Sequence, residues 1–82
     1  SLIWAATTPV PKGASGRVPG NEVEYNAIAK SIMDEESVVV NDLHAHIVPQ
    51  LDKLQRKANI HFNAPGSQHL AEQVAQKIEE AL

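Results

Sequence analysis

The sequence predicts a small α/β domain with parallel strands, and three observations support that class. Two short apolar runs, over residues 2–7 and 37–40, are typical of strands that are covered on both faces of a parallel sheet. Segments whose apolar residues recur at helical spacing follow both runs, and another such segment ends the chain. The order strand, helix, strand, helix, helix indicates that the strands are parallel neighbours joined by a right-handed crossover.

The composition is that of one globular domain near the size at which a single hydrophobic core is marginal. Of the 82 residues, 43% are apolar and 21% are charged, and the net charge is −3. The few aromatic residues are not interleaved with a basic stripe, so we predict no nucleic-acid partner. No apolar run is long enough to span a membrane. The absence of cysteine excludes disulfides and thiol chemistry and leaves the cellular compartment open.

Residues 2–7 form the first predicted strand, and residues 8–20 form the loop that follows it. The opening of the chain lacks the basic start and the length of a signal peptide. The loop carries three prolines and three glycines, which argues against regular structure. Loops of this length in a compact domain are often functional.

The first predicted helix covers residues 21–33. Asn21 is the expected N-cap, and Glu24 stands three residues later as in a capping box. We expect Glu22, Asn26 and Lys30 to face water. Five apolar residues at helical spacing are expected to form the buried stripe: Tyr25, Ile28, Ala29, Ile32 and Met33.

The β-branched run at 37–40 predicts the second buried strand, and a helix over 42–56 should follow it. Asn41 and Asp42 supply the helix start, whereas Pro49 is expected to kink the helix or split it in two. The apolar face of this helix is predicted to consist of Leu43, Ile47, Val48, Leu51 and Leu54.

A histidine loop at 57–63 leads into the last predicted helix, at 64–81. Asn63 can cap this helix, and Pro65 is tolerated in its first turn. The helix has a narrow apolar stripe made of Leu70, Val74, Ile78 and Leu82.

Two strands cannot form a sheet broad enough to carry three helices, and parallel sheets are almost always buried on both faces. We therefore expect these residues to be part of a larger α/β protein, or to pair with strands of another chain.

His61 is the leading candidate for chemistry because it lies on a short connector beside the most regular helix. Histidine titrates near neutral pH, so an imidazole held on a loop by a rigid scaffold can act as a general base. A loop histidine that only packs or caps is the other interpretation.

Two further site classes were considered from the same residues. A zinc site is not predicted, because His44 and His46 are two residues apart and should point to different sides of a helix. None of the five serines lies in a Gly-x-Ser-x-Gly elbow, and no glycine-rich phosphate loop occurs.

The segment from Asn59 to Ser67, continued by residues 70–71 and 74–78, resembles the last conserved block of the SGNH hydrolases, also called GDSL-type esterases. That block reads His-Phe-Thr-x-x-Gly and enters the C-terminal helix; residues 61–66 here read His-Phe-Asn-Ala-Pro-Gly. Three upstream segments are similar, in order, to the late strand-loop-helix-strand part of bacterial members: residues 4–11, 25–29 and 40–43. The resemblance covers nearly the whole chain, but only the C-terminal part of such a domain.

The resemblance implies a three-layer α/β/α domain of the flavodoxin-like kind, to which residues 1–82 contribute one C-terminal β-α-β-α-α segment. It implies hydrolysis of acyl esters by a serine nucleophile without a cofactor or metal, with a carbohydrate acetyl ester as the suggested substrate. His61 would match the family's catalytic histidine, and Phe62 would line the pocket.

The chain departs from the family pattern in two ways. The blocks that carry the serine, the oxyanion glycine and the Gly-x-Asn motif have no counterpart here, so we expect this chain alone to be inactive. Many members place an aspartate three residues before the histidine, where Ala58 stands here. Asn59 or a backbone carbonyl could orient His61 instead, the site could be a dyad, or an acid could come from elsewhere. The alternative function is a non-catalytic α/β interaction module whose exposed sheet edge binds a partner strand.

Overall fold

The computed structural model, which describes residues 2–82, pairs two short strands in parallel. β1 is Ile3–Ala5 and β2 is Val39–Asn41, with Trp4 opposite Val40. The described chain also has three helical regions. The first is α1 (Asn21–Glu35) and the last is α4 (Ala64–Ala81). Between them lies a broken helix, which consists of α2 (Leu43–Ile47), a 3₁₀ turn (Val48–Gln50) and α3 (Leu51–Leu54). The predicted α/β class, element order and parallel pairing are confirmed.

β1 is shorter than the predicted strand at 2–7. Its ladder ends after Ala6, whose N–H donates to the carbonyl of Asn41 at 2.9 Å. The N–H and the carbonyl of Thr7 bond instead to the side-chain amide of Asn26, at 2.9 and 2.8 Å. Because a side chain satisfies both backbone groups of Thr7, the strand stops there.

The start of α1 differs from the capping pair that the sequence predicts. Gly20 is the N-cap, with a φ of 75°, and no side chain caps the helix. Asn21 is the first helical residue, so its predicted capping role was wrong. Glycine adopts this left-handed backbone without the steric cost that a Cβ would bring. The helix ends at Glu35, two residues beyond the predicted end at 33.

α1 also turns a different face inward from the one its pattern predicts. Tyr25, Ile28 and Ile32, expected in the buried stripe, are 56%, 59% and 50% exposed. Glu22 and Asn26, expected to face water, are buried and half-buried. The prediction was wrong for these five residues, because polar partners on other segments select the inward face of this helix. It holds for Lys30, which is exposed, and in part for Ala29 and Met33, which are half-buried.

The second strand begins and ends later than the predicted run at 37–40, and it is not buried throughout as predicted, because Val39 is 52% exposed. Ser37 has a φ of 58° and donates its N–H to the carbonyl of Asp34, so it belongs to the turn that ends α1. Asn41 is the last strand residue, and Asp42 caps α2 by accepting the N–H of Ala45 at 3.0 Å.

The bounds and caps of the broken helix and α4 follow their local signals closely, but their predicted apolar faces are partly exposed, at Val48 by 45%, at Ile78 by 49% and at Leu82 by 99%. The break at Pro49 confirms the predicted split, although the helical region covers 43–54 rather than 42–56. It stops because Gln55 is extended, with φ −92° and ψ 140°, and forms an isolated antiparallel bridge with Phe62. The predicted bounds of the last helix and the capping role of Asn63 are confirmed, the latter by its side-chain oxygen accepting the N–H of Gly66 at 2.8 Å.

The hydrophobic core of the described residues is small. α4 packs against α2, α3 and β2, and among residues 2–82 only Ile47 has a fully buried large side chain. Three other apolar residues are buried: Ala6, Ala14 and Leu54. No helix within residues 2–82 has the length and apolar character needed to cross a membrane.

Candidate functional site

A cleft of about 680 Å³ opens beside His61 at the carboxyl end of β1. Thr7 and Thr8, which come directly after that strand, form part of one wall. The histidine loop contributes His61 and Phe62 to the lining. His61 is exposed and is not packed among aliphatic side chains. The remaining lining residues are Val10, Arg17, Arg56, Ile60, Ser67 and Leu70.

The histidine loop is closed at its base by backbone pairing. The bridge between Gln55 and Phe62 joins its two ends, and the N–H of Arg56 donates to the carbonyl of His61 at 3.0 Å. The side-chain amide of Gln55 donates to the carbonyl of Pro9 at 2.7 Å, which ties this loop to the long loop after β1. Two irregular segments far apart in sequence are therefore held together, and both line the cleft.

α4 fixes the exit of the histidine loop through Gly66, which is buried against α3. A Cβ at this position would come within 2.5 Å of the carbonyl oxygen of Leu54 and 3.0 Å of the Cβ of Phe62. The helix can approach α3 this closely only because residue 66 has no side chain. The side chain of Asn63 adds a second link, since its amide donates to the carbonyl of Lys53 at 2.7 Å.

Asn59 acts on the backbone of His61 and not on its ring. Its side-chain oxygen accepts the His61 N–H at 2.8 Å, which is an Asx turn that shapes the loop. Within residues 2–82, no hydrogen bond joins the His61 imidazole to a carboxylate, an amide or a hydroxyl. The described hydrogen bonds therefore supply no group that orients the ring.

No family model, curated protein or solved structure matches the chain.

A buried carboxylate and a histidine form a second polar cluster that sequence reasoning missed. Oε2 of Glu22 lies 2.8 Å from Nε2 of His44, and its Oε1 accepts the N–H of Val10 at 3.1 Å. The Glu22 side chain is only 5% exposed, and the contact links α1, the long loop and α2. Because these partners lie 22 and 12 residues away, no local pattern could reveal the cluster.

Two opposing effects set the proton affinity of Glu22. Burial by itself raises its pKa, because a carboxylate loses hydration. The hydrogen bonds from His44, from the Val10 N–H and from its own N–H, with the charge of His44, outweigh burial and hold the pKa of Glu22 below its ordinary 4.5. Glu22 is therefore ionised in the folded protein at neutral pH.

The four histidines are divided among three places. His44 bonds to Glu22, whereas the rings of His46 and His69 stack with centroids 4.1 Å apart. His61 lies in the cleft. In the part of the chain that the structure describes, no three His, Cys, Asp or Glu side chains are grouped as metal ligands.

Proposed function

We propose that residues 1–82 are the C-terminal segment of an SGNH-type serine esterase and supply the histidine base that activates a serine carried by another segment. The observation that carries this proposal is the exposed His61 in a cleft at the carboxyl end of β1. Ligands of open α/β sheets bind in the crevice outside the carboxyl ends of the strands. The resemblance of residues 59–67 to the last SGNH block assigns the same residue to catalysis.

The large exposed surface supports the view that further segments cover this chain. A folded monomer of 8.9 kDa exposes roughly 4,800 Å², whereas this structure exposes 5674 Å². Large apolar side chains on α1 account for part of the excess, including Tyr25, Ile28 and Ile32. In the proposed three-layer α/β/α domain, strands beside β1 and a helix layer would cover such surfaces.

Asn41, the last residue of β2, carries a buried polar atom without a partner in the described residues. It is 2% exposed, and its side-chain oxygen has no hydrogen-bond donor within residues 2–82. A buried acceptor without a partner costs about 1–3 kcal/mol, so native structures rarely keep one.

The proposed chemistry assigns one proton-transfer role to His61. The imidazole takes the proton of the attacking serine hydroxyl as the Ser Oγ–acyl carbon bond forms, and gives it to the departing alcohol as the ester C–O bond breaks. A water activated by the same imidazole then releases the acid and frees the serine. Asn59 shapes the loop that presents the ring, and Phe62 contributes apolar lining.

The test uses the protein expressed from its natural reading frame and para-nitrophenyl acetate as substrate. His61→Gln should lower kcat by about 10²–10⁴-fold, because the general base is lost. His69→Gln is the matched control, since this half-buried histidine stacks on His46 and does not line the cleft. Full activity of the His61→Gln protein would contradict the proposal.

The 82-residue chain alone should not turn over this ester. Ser67 is the serine that lines the cleft within residues 2–82, so Ser67→Ala tests the claim that the nucleophile lies elsewhere. Turnover by the short chain that Ser67→Ala abolishes would place the nucleophile inside it.

The interaction module remains the second candidate, favoured by the two-stranded sheet with its unpaired edge strands. The upstream reading frame separates the two. A Gly-Asp-Ser block after an apolar strand supports the esterase, and a start codon near Ser1 supports the module.

A further inference from the structure

The charged side chains that line the cleft beside His61 are both positive. Arg17 comes from the long loop after β1 and Arg56 from the base of the histidine loop, so two separate segments bring guanidinium-bearing residues to one cavity. No aspartate or glutamate lies among its lining residues in the described chain. The chain as a whole carries a net charge of −3, so composition alone does not account for a basic cleft.

Neither arginine is engaged by another side chain within residues 2–82. The ion pairs there are Lys30 with Asp34, His44 with Glu22, and Lys77 with Glu80. A guanidinium carries five N–H donors in a rigid fork that matches the two oxygens of a carboxylate or phosphate. Both arginines are exposed, so their N–H donors face solvent in the cleft and are free to bind an anion there.

The rest of the lining defines what else the ligand must offer. Three hydroxyl residues and four apolar residues complete the cleft. The apolar ones come from both loops and from α4: Val10, Ile60, Phe62 and Leu70. A ligand that combines an anionic oxygen group with a ring or another compact apolar part matches this lining better than a neutral chain does.

We propose that the cleft binds a carboxylate or phosphate group of the ligand on which His61 acts, with Arg17 and Arg56 as its binding residues. The assignment of that anion to an ester substrate rests on the proposed function; the anion site itself rests on the cleft. Because the contact is made away from the reacting carbonyl, the two arginines act mainly on KM and leave kcat nearly unchanged.

The test compares phenyl acetates that carry an anionic or a neutral para substituent, using the protein expressed from its natural reading frame at low salt. Para-acetoxybenzoate and para-acetoxyphenyl phosphate carry the anion, and para-acetoxybenzamide is the neutral counterpart. We expect kcat/KM for at least one anionic ester to exceed that of the amide by about tenfold, as one charge-assisted hydrogen bond allows. The preference should shrink as salt is added, and the better of the two anions identifies the group that is bound.

Variants then assign the preference to residues. Arg17→Gln and Arg56→Gln should each remove most of it by raising KM, whereas Arg56→Lys should retain part of it through charge alone. Lys57→Gln is the matched control, because it removes the same charge from an exposed neighbour that does not line the cleft. An anionic preference that survives both glutamine variants would overturn the proposal.

A direct binding measurement on the unaltered protein separates the anion-site proposal from the esterase proposal, and it does not require that any variant folds. Benzoate and phenyl phosphate are titrated into the unaltered protein while the His61 ring resonances are followed by NMR. If the protein hydrolyses the acetyl ester of para-acetoxybenzamide through His61 but binds neither anion, the proposed anion site is wrong and the proposed esterase function stands. If an anion shifts the His61 signals and no ester is hydrolysed, the esterase is wrong and the anion site stands.

Discussion

Replacing Glu22 tests whether a buried carboxylate, and not apolar packing, docks α1 onto the rest of the chain. Glu22→Ala removes the acceptor of the Val10 N–H and the partner of His44, whose contacts are 3.1 and 2.8 Å long. Each hydrogen bond to a charged group contributes about 1.5–3 kcal/mol, so we expect the loss of two to lower the free energy of unfolding by about 3–6 kcal/mol. A domain of this length has a total stability of roughly 4–12 kcal/mol, so the loss is a large fraction of it.

Urea unfolding followed by far-UV circular dichroism measures this loss. With a slope of about 1 kcal/mol per molar urea, the midpoint should fall by several molar or the variant should be unfolded in buffer. Glu24→Ala is the control, because Glu24 is an exposed glutamate in the same helical turn, and it should change stability by less than about 1 kcal/mol. Equal effects of the two substitutions would refute the inward-facing role of Glu22.

The pH dependence of stability follows from the lowered pKa of Glu22. A carboxylate whose folded pKa lies below its unfolded pKa contributes stability that is fully present above the unfolded value. That contribution is lost as the pH falls below 4.5 and through the lowered value. The midpoint of urea unfolding should therefore fall on acidification in this range, and Glu22→Gln should flatten the decline. If the urea midpoint of Glu22→Gln declined with falling pH as steeply as that of the unaltered protein, groups other than Glu22 would be responsible for the decline.

Three further substitutions test the elements that build the cleft, with stability measured by urea unfolding. Gly66→Ala should cost about 1–3 kcal/mol, because the new Cβ meets the carbonyl of Leu54 at 2.5 Å; Ser67→Ala, one residue on, should be nearly neutral. Asn63→Ala should cost about 1–2 kcal/mol through loss of the α4 cap, and Asn63→Asp should recover part of it. Asn26→Ala should cost about 1–3 kcal/mol by leaving both backbone groups of Thr7 without their partner, and Asn26→Asp should restore only the acceptor.

Local chemistry accounts for the parts of the fold that the sequence predicts well. Pro49 breaks the middle helix because it lacks an N–H, and Asn63 caps α4 because its side chain reaches the Gly66 N–H three residues on. Both interactions lie within one helical turn. The order of elements and the parallel strands follow from equally local runs of apolar residues.

The sequence by itself therefore determined the element order, the helix break and the bounds of α4. Only the tertiary structure decided which face of α1 turns inward and which residues share a cavity. The periodicity of apolar residues predicts that a helix has an apolar and a polar face. It cannot predict that Glu22 contacts His44 and Val10, because these residues lie 22 and 12 positions away in the sequence. In the same way, Arg17 and His61 line one cleft although they lie far apart in sequence, and a hydrogen bond from Gln55 to Pro9 helps to hold the two loops together.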